Sequence, residues 1–496
     1  MIPKGFNPST IVPSSFRSDR QQSFKDGACY FVSLLIPETI NKRKWQQLFE
    51  TGYIQLSATI LHNIIGASYK QVVETLEAAG IIEVNHSYII GEQSMGYRLA
   101  KMFAGEMVEY ELTTKGINER LQAYQKKKAT VQKRRQKELN HLTKWINKNY
   151  LSIDVNGATQ FITEYEEQFT KLMKETTVST TEQQQDMLYR VSMRVKQMKD
   201  CVSQISTGNY EMIRDANGRI YSPLTSLKRE LRSFIRLDGE KVGSLDIKAS
   251  QPYLLTLLLK KAFWQTTKKL PITLRSANPT LYATLVSHLT PIITFTDFFG
   301  RLENSAFEGF TFPKINWAGD FYTHLQQQVK QEDDGNLTGK YFETRANVKS
   351  TMMLLLYDTY FDKQPVYYQM FKKLYPNETD LMDMIKKIDP INKGIFPSIL
   401  QTVEAELVLN CVTKQIAKQE PAMPMFTVHD GIFIPASKLH SLQSTVENTI
   451  EEAVLIKPGI KLEVMNDAIL LQQVAESVCI EWEKIRMGYV KQFSNS

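Results

Sequence analysis

Twice in this chain a short apolar strand delivers a carboxylate to its end, and the two occurrences lie far apart in sequence. Gly243-Ser244-Leu245-Asp246-Ile247 reads as the first strand, followed by Ser250-Gln251-Pro252 and an apolar helix from Tyr253 to Leu259. Met425-Phe426-Thr427-Val428 reads as the second, with His429-Asp430-Gly431 as a tight turn and Ile432-Phe433-Ile434 as the returning strand. If these strands lie side by side, Asp246 and Asp430 meet at one sheet edge. Either acid alone has an ordinary reading, because strand-end Asp is commonly a cap and His-Asp-Gly a hairpin turn.

Together the two acids offer hard oxygen ligands of the kind that suit Mg²⁺, which keeps several waters and takes further ligands from substrate phosphates. Two such ions, about 3.5–4 Å apart, could activate a hydroxyl nucleophile and stabilise a leaving phosphate oxygen. Between the acids lies Arg345-Ala-Asn-Val-Lys349-Ser-Thr-Met-Met-Leu-Leu-Leu-Tyr357. Helical geometry puts Arg345, Lys349 and Tyr357 on nearly one face. Such a face can hold a triphosphate through the two cations while the phenol packs on sugar or base. The competing reading is a buried helix with a charged N-terminal end, which the helix dipole mildly disfavours for cations.

These elements, in this order, resemble a known family. Asp246 followed by Ser250, the Arg345/Lys349/Tyr357 helix and His429-Asp430 look like motifs A, B and C of the single-subunit, phage-type and mitochondrial RNA polymerases and of the related family A DNA polymerases. Asp215-Ala-Asn-Gly218-Arg219-Ile-Tyr221 is similar to the Asp-x-x-Gly-Arg-x-Tyr element that precedes motif A in the RNA polymerases. The resemblance runs from about Asp215 to Ile434. It implies that Asp246 and Asp430 bind two Mg²⁺ ions, with Mn²⁺ as a substitute, and that His429 sits beside the nascent 3′ end. It further implies that Lys349 contacts the triphosphate and protonates the leaving pyrophosphate, that Arg345 holds the phosphates, that Tyr357 senses the sugar, and that Arg219, with Tyr221 beside it, contacts the template hybrid. Three departures stand out. Gln251 occupies the place of the gate Glu of the DNA polymerases and the Gly of the RNA polymerases, Pro252 follows it, and Tyr357-Asp358 replaces Tyr-Gly. The sugar preference therefore stays open. No paired-carboxylate exonuclease motif is recognisable upstream, so proofreading is not expected.

Upstream, Ser57 to Ile65 and Tyr69 to Ala79 read as helices, and Ile81–Val84 and Gly96–Leu99 as strands around a polar turn containing Asn85, His86, Gly91 and Ser94. This order resembles a winged-helix module, whose second helix could enter a major groove or serve as a protein contact. Thr114 to Gln204 reads as almost wholly helical. Its first part concentrates Lys126, Lys127, Lys128, Lys133, Arg134, Arg135 and Lys137 against the acids Glu119 and Glu138. That stretch is either a solvated face or a phosphate-binding one. The net charge of +7, on 60 Lys and Arg, permits a polyanionic partner without requiring one.

The 496 residues, 42% of them apolar, can bury a large core. The four cysteines have neither metal-ligand nor redox-motif spacing, in keeping with a reducing cytosol, bacterial or that of a phage host. No uninterrupted apolar run long enough to span a bilayer is evident, so no membrane partner is expected. The expected architecture is α+β, a right-hand palm with fingers and thumb: residues 1–113 with the winged-helix-like module at about 50–100, a helical thumb-like arm at 114–204, and a palm at 205–496 with fingers inserted at about 260–400. The expected function is template-directed nucleotidyl transfer, by a compact single-subunit DNA-dependent RNA polymerase or a primase-like enzyme. It would use nucleoside triphosphates and a nucleic-acid template, most naturally DNA, in replication or transcription. A family A-like DNA polymerase without proofreading and a non-catalytic DNA-binding replication accessory protein are the alternatives. Oligomeric state is not legible.

Overall fold

A computed structural model describes residues 1–36, 44, 48, 51–86, 94–103, 106–175, 181–208, 212–265, 270–292, 310–332, 339–358, 364–388, 394–465 and 474–482; the side chains of 127–137, 181–183, 288–292 and 339 lie outside that description. The N-terminal region comprises helix α1 (Ser18–Ser33), strand β1 (Ile54–Gln55), helices α2 (Ala58–Ile65) and α3 (Tyr69–Ala78), and strands β2 (Ile82–Asn85) and β3 (Gly96–Leu99). The three strands pair antiparallel in the order β1-β3-β2. Val72, Val73 and Leu76 recur at helical spacing on α3 and turn inward with Leu61, Phe24, Phe31 and Tyr97 to form a separate core. Gly91, within the connecting turn, lies outside the described residues.

Helix α4 (Lys115–Lys137) carries the basic stretch. Its start is fixed by the fully buried Asp26, whose carboxylate accepts from the backbone N–H groups of Thr113 at 2.8 Å and Thr114 at 2.5 Å. An acid at that point satisfies otherwise orphaned donors and complements the helix dipole. Arg120 Nε donates to Ile64 O at 2.9 Å, so the first turns of α4 are tied to the C-terminal end of α2. Lys126 is exposed; Lys127, Lys128, Lys133, Arg134 and Arg135 belong to the helix, and their side chains lie outside the described ones. Past its end, Glu138 pairs with Arg214 at 2.8 Å.

Strand β4 (Leu151–Ile153) opens the central sheet, and helices α5 (Val155–Glu175) and α6 (Thr181–Thr207) follow, packed along each other. Strands β5 (Ile213–Arg214) and β6 (Ile220–Tyr221) form a small hairpin before β7 (Ile235–Leu237) and the long β8 (Glu240–Ile247). Helices α7 (Ser250–Leu258), α8 (Phe321–Glu332), α9 (Arg345–Tyr357) and α10 (Ile395–Ala405) come next. Strands β9 (Phe426–Val428) and β10 (Gly431–Pro435), helix α11 (Leu439–Val454) and strand β11 (Ile460–Val464) complete the sheet. Its antiparallel order is β9-β10-β8-β7-β4, with β11 also paired to β8.

Because side chains alternate along a strand, the sheet has two distinct faces. Leu245, Ile247, Ile432 and Ile434 enter the largest core with the buried residues of α7, α10 and α11. Val242, Phe426, Val428 and Phe433 enter a second core with Phe161, Tyr165, Phe169 and Met198 of α5 and α6. By parity with Val242, Ser244 and Asp246 belong to the α5/α6 side. The helical stretch Ile395–Gln419, which includes α10, is long and apolar enough to cross a bilayer, contrary to the sequence expectation; 72% of its most apolar window is buried inside the protein, which accounts for that composition.

Candidate active site

The register of β8 against its neighbours builds the centre of the site. Asp246 pairs with Gly431 of β10 and with Lys461 of β11, while Ser244 pairs with Phe433 and Glu463. The tip of the β9–β10 hairpin thus brings Asp430 beside Asp246. A Cβ at position 431 would overlap Asp246 Oδ1, so a side chain there would displace the carboxylate. His429 has φ +55, and Ala249, just past the end of β8, has φ +46. Left-handed backbone is costly for both residues, and it flanks both carboxylates, as strain at functional positions often does.

Asp246 is half-buried and, among the described residues, accepts a hydrogen bond from Ser244 Oγ at 2.7 Å. Burial pushes its carboxyl above the usual range; the Ser244 bond opposes this, and the negative charges of Asp430 and Glu463 add to it. Neither acid forms an ion pair among the described residues. Glu463, on the neighbouring strand, is held by Arg229 at 2.9 Å and by Lys461. Arg232 stands within the field of Asp246, and its Nε has no partner among the described residues. No group of three or more His, Cys, Asp or Glu side chains suited to a metal occurs among the described residues. A cation here would take two carboxylates from the protein and the rest of its shell from water and substrate, the habit of Mg²⁺.

A second polar cluster lies alongside. In the Asp215–Tyr221 element, Asp215 Oδ1 accepts from the backbone N–H groups of Asn217 and Arg219, each at 2.9 Å, and Gly218 supplies the φ of +88 that turns the chain. The turn presents Arg219 to Glu404 of α10, Nη2 to Oε1 at 2.6 Å. Glu404 Oε2 accepts from Gln251 Nε2 at the start of α7. Tyr357, at the end of α9, stands beside Gln401 and Arg219, which oppose the rise that burial imposes on its phenol, and Asn217 donates to Gln401 at 2.9 Å. Burial drives the Glu404 carboxyl up to about 7; Arg219 opposes the shift and Asp430 reinforces it. Tyr221 meets the His429 ring edge-on at 6.3 Å, linking this cluster to the carboxylates.

Helix α9 does not present a single polar face. Twelve residues turn a helix through about 120° beyond whole turns, so Tyr357 packs toward α10 while Arg345 and Lys349 are exposed. Thr344 caps the helix by accepting from Asn347 N–H. Arg345 is bound to Asp320 by two hydrogen bonds, at 2.5 and 3.2 Å, and lies over the ring of Tyr322. Tyr322, whose hydroxyl burial raises, also feels Asp430, which connects Arg345 to the carboxylates. Lys349 forms no ion pair among the described residues.

Sequence reasoning missed Glu404, Gln401, Tyr322, Arg232 and Glu463. One signal was present for Glu404: with Glu406 it is one of two acids in a mostly apolar helical run. The others carry no motif and gain their place only by packing.

No family model matches the chain, and no curated protein matches it. Among solved structures it is similar to the POL domain of Pol1 from M. smegmatis in complex with DNA primer-template and dNTP, at 9% identity, over 72% of this chain and 74% of that chain, with a TM-score of 0.41. A likeness at that identity and score carries no weight for activity or substrate.

Proposed function

We propose that this chain is a template-directed nucleotidyltransferase, a compact single-subunit DNA-dependent RNA polymerase or primase-like enzyme. The register that sets Asp246 against Gly431 carries the reading: it joins two carboxylates from distant strands with no cation paired to either among the described residues. The raised carboxyl of Asp246 fits a divalent cation, since positive charge would relieve the burial and repulsion that raise it. Two Mg²⁺ ions held by Asp246 and Asp430 would supply Lewis-acid stabilisation of the attacking and leaving oxygens.

The chain's own groups divide the remaining work. Ser244 orients Asp246 through its hydrogen bond. Lys349 and Arg345 bind the triphosphate, with the nucleotide's phosphates taking the place of Asp320 on Arg345. Tyr357 and Gln251 line the sugar, His429 lies beside the nascent 3′ end, and Arg219 and Tyr221 face the template hybrid. The basic residues Lys126 to Arg135 of α4 track the nucleic-acid backbone. In this reading the central sheet is the palm, residues about 260–400 are the fingers, 114–204 are the thumb-like arm, and 50–100 are a winged-helix-like module.

The test is incorporation of ribo- and deoxyribonucleotides on single-stranded and primed templates, with Mg²⁺ or Mn²⁺. Template-dependent product that disappears in Asp430→Asn supports the reading. Full incorporation by Asp430→Asn removes the two-metal assignment, and deoxyribonucleotide incorporation alone makes the chain a DNA polymerase.

A further inference from the structure

Helix α9 ends against a buried lysine. The last four carbonyls of an α-helix have no partner within it. At the end of α9 the N–H of Asp358 donates to Leu354 O at 2.8 Å, and Lys386 Nζ donates to Leu355 O at 2.5 Å. Lys386 comes from a third helix, Pro376–Ile388, and is 5% exposed. Its ammonium also lies 5.8 Å from the ring centre of Phe396 in α10, within cation–π range. One buried cation thus reaches both α9, which carries Tyr357, and α10, toward which Tyr357 packs.

The cap is a costly one, because a charge is taken out of water to make it. Burial pulls the Lys386 ammonium down to about 8, opposed only in part by the fields of Asp383, on its own helix, and of Asp358, at the end of α9. Lys386 forms no ion pair among the described residues. Glycine or asparagine past the last turn is a common way to end a helix and needs no buried amine. What the amine adds is a positive charge at the helix C-terminus, where the dipole favours it most in partly buried places. The same device occurs at the end of α11, where Lys260, 8% exposed, donates to Val454 O. Helix α11 carries none of the residues assigned above to the nucleotide, so the two lysines form a matched pair. What sets Lys386 apart is the residue two places beyond the carbonyl it holds, Tyr357.

We propose that Lys386 is a positioning residue for nucleotide binding: by fixing the last turn of α9 against α10, it holds the Tyr357 ring where the sugar or base packs on it. This rests on the polymerase reading and adds to it a residue outside the motifs from which that reading was built. Without Nζ the Leu355 carbonyl loses its partner in a buried place, and the last turn, which includes Tyr357, shifts to regain one.

The experiment measures KM and kcat for single-nucleotide addition by the full chain on a primed template, with the nucleotide that the wild-type chain incorporates and each variant assayed well below its own Tm. Lys386→Met should raise the nucleotide KM on the order of tenfold, with a smaller change in kcat. Lys386→Gln, which keeps an N–H donor on a shorter side chain, should raise it less, and takes the place of methionine below if methionine abolishes folding. In a Tyr357→Ala background, Lys386→Met should add less than about twofold, because residues that act through one another are not additive. Lys260→Met should lower Tm and leave KM unchanged. A reduced folded fraction lowers kcat and leaves KM where it was, so KM separates positioning from stability. An unchanged KM in both Lys386 variants, a Lys386→Met effect that multiplies in full onto that of Tyr357→Ala, or an equal rise of KM in Lys260→Met overturns the proposal and leaves the polymerase reading intact. Absence of template-dependent addition by the wild-type chain overturns both.

Discussion

Two half-buried to buried groups of charge in this molecule are built on opposite principles. At the edge of the central sheet, the charge of Asp430 adds to the cost of ionising Asp246, and left-handed backbone occurs at His429, next to Asp430, and at Ala249, three residues after Asp246. At the joint between the N-terminal region and α6, Asp186 is bound by Arg98 Nη1 at 2.5 Å and by Arg190 Nε at 2.8 Å, and Arg98 also reaches Glu83. Tyr53 lies beneath the Arg98 guanidinium. The joint is compensated, and its charges explain themselves by holding two regions together. At the sheet edge Lys461 and Arg232 act on Asp246 only through their fields, neither acid has an ion-pair partner among the described residues, and burial still holds the Asp246 carboxyl above its usual range, a pattern common at functional positions.

Asparagine at the sheet edge tests that contrast most strongly. Asp246→Asn or Asp430→Asn should lower kcat for nucleotide addition on the order of 10³-fold, since a metal's charge stabilisation is worth several kcal/mol and each factor of ten is about 1.4 kcal/mol. The same substitutions should leave Tm unchanged or raise it, because they remove like charge; a fall of several degrees would mean that the acids are structural after all. The joint should behave in reverse. Asp186→Ala leaves two arginines facing one another in a buried place and should cost about 3 kcal/mol in denaturant unfolding, with the N-terminal region loosened from α6.

Glu404 stands between these two types, and pH separates it from both. Its carboxyl is raised from 4.5 to about 7 in the folded protein, so the folded state holds a proton that the unfolded state releases. The stability from that proton is complete below about pH 4.5 and is lost as pH rises through about 7. Wild-type unfolding free energy should therefore decline by on the order of 3 kcal/mol across that window relative to Glu404→Gln, which cannot titrate. Parallel pH profiles for the two proteins would show that Glu404 is ionised throughout. The smallest effect is expected on α4. Replacing Lys126, Lys127 and Lys128 by alanine should weaken template binding at low salt and reduce the salt slope by roughly one for each phosphate that is no longer neutralised. An unchanged slope would make that stretch a solvated helix face.

The carboxylates are legible in the sequence because strand alternation and turn chemistry are local: Leu245 and Ile247 bracket Asp246, and Gly431 closes the hairpin that carries Asp430. The Asp215–Gly218–Arg219 turn is legible for the same reason, since its hydrogen bonds run within five residues. Helix α9 is equally legible as a helix, but its polar residues do not share a face, because the separation of Arg345 from Tyr357 exceeds what one stripe can hold. Which partner Tyr357 meets depends on where α10 lies.

Sequence alone thus determined the acidic strand ends, the cationic helix between them and the arginine turn before them, all products of short-range backbone rules. Tertiary structure alone decided that β8 lies between β10 and β11, which sets Asp246 against Gly431 and Lys461, and that α10 brings Glu404 to Arg219 and Gln251. The physical reason is range. Hydrogen-bonded turns and helical periods act within a few residues, whereas the burial that shapes a site acts between whichever surfaces the core brings together.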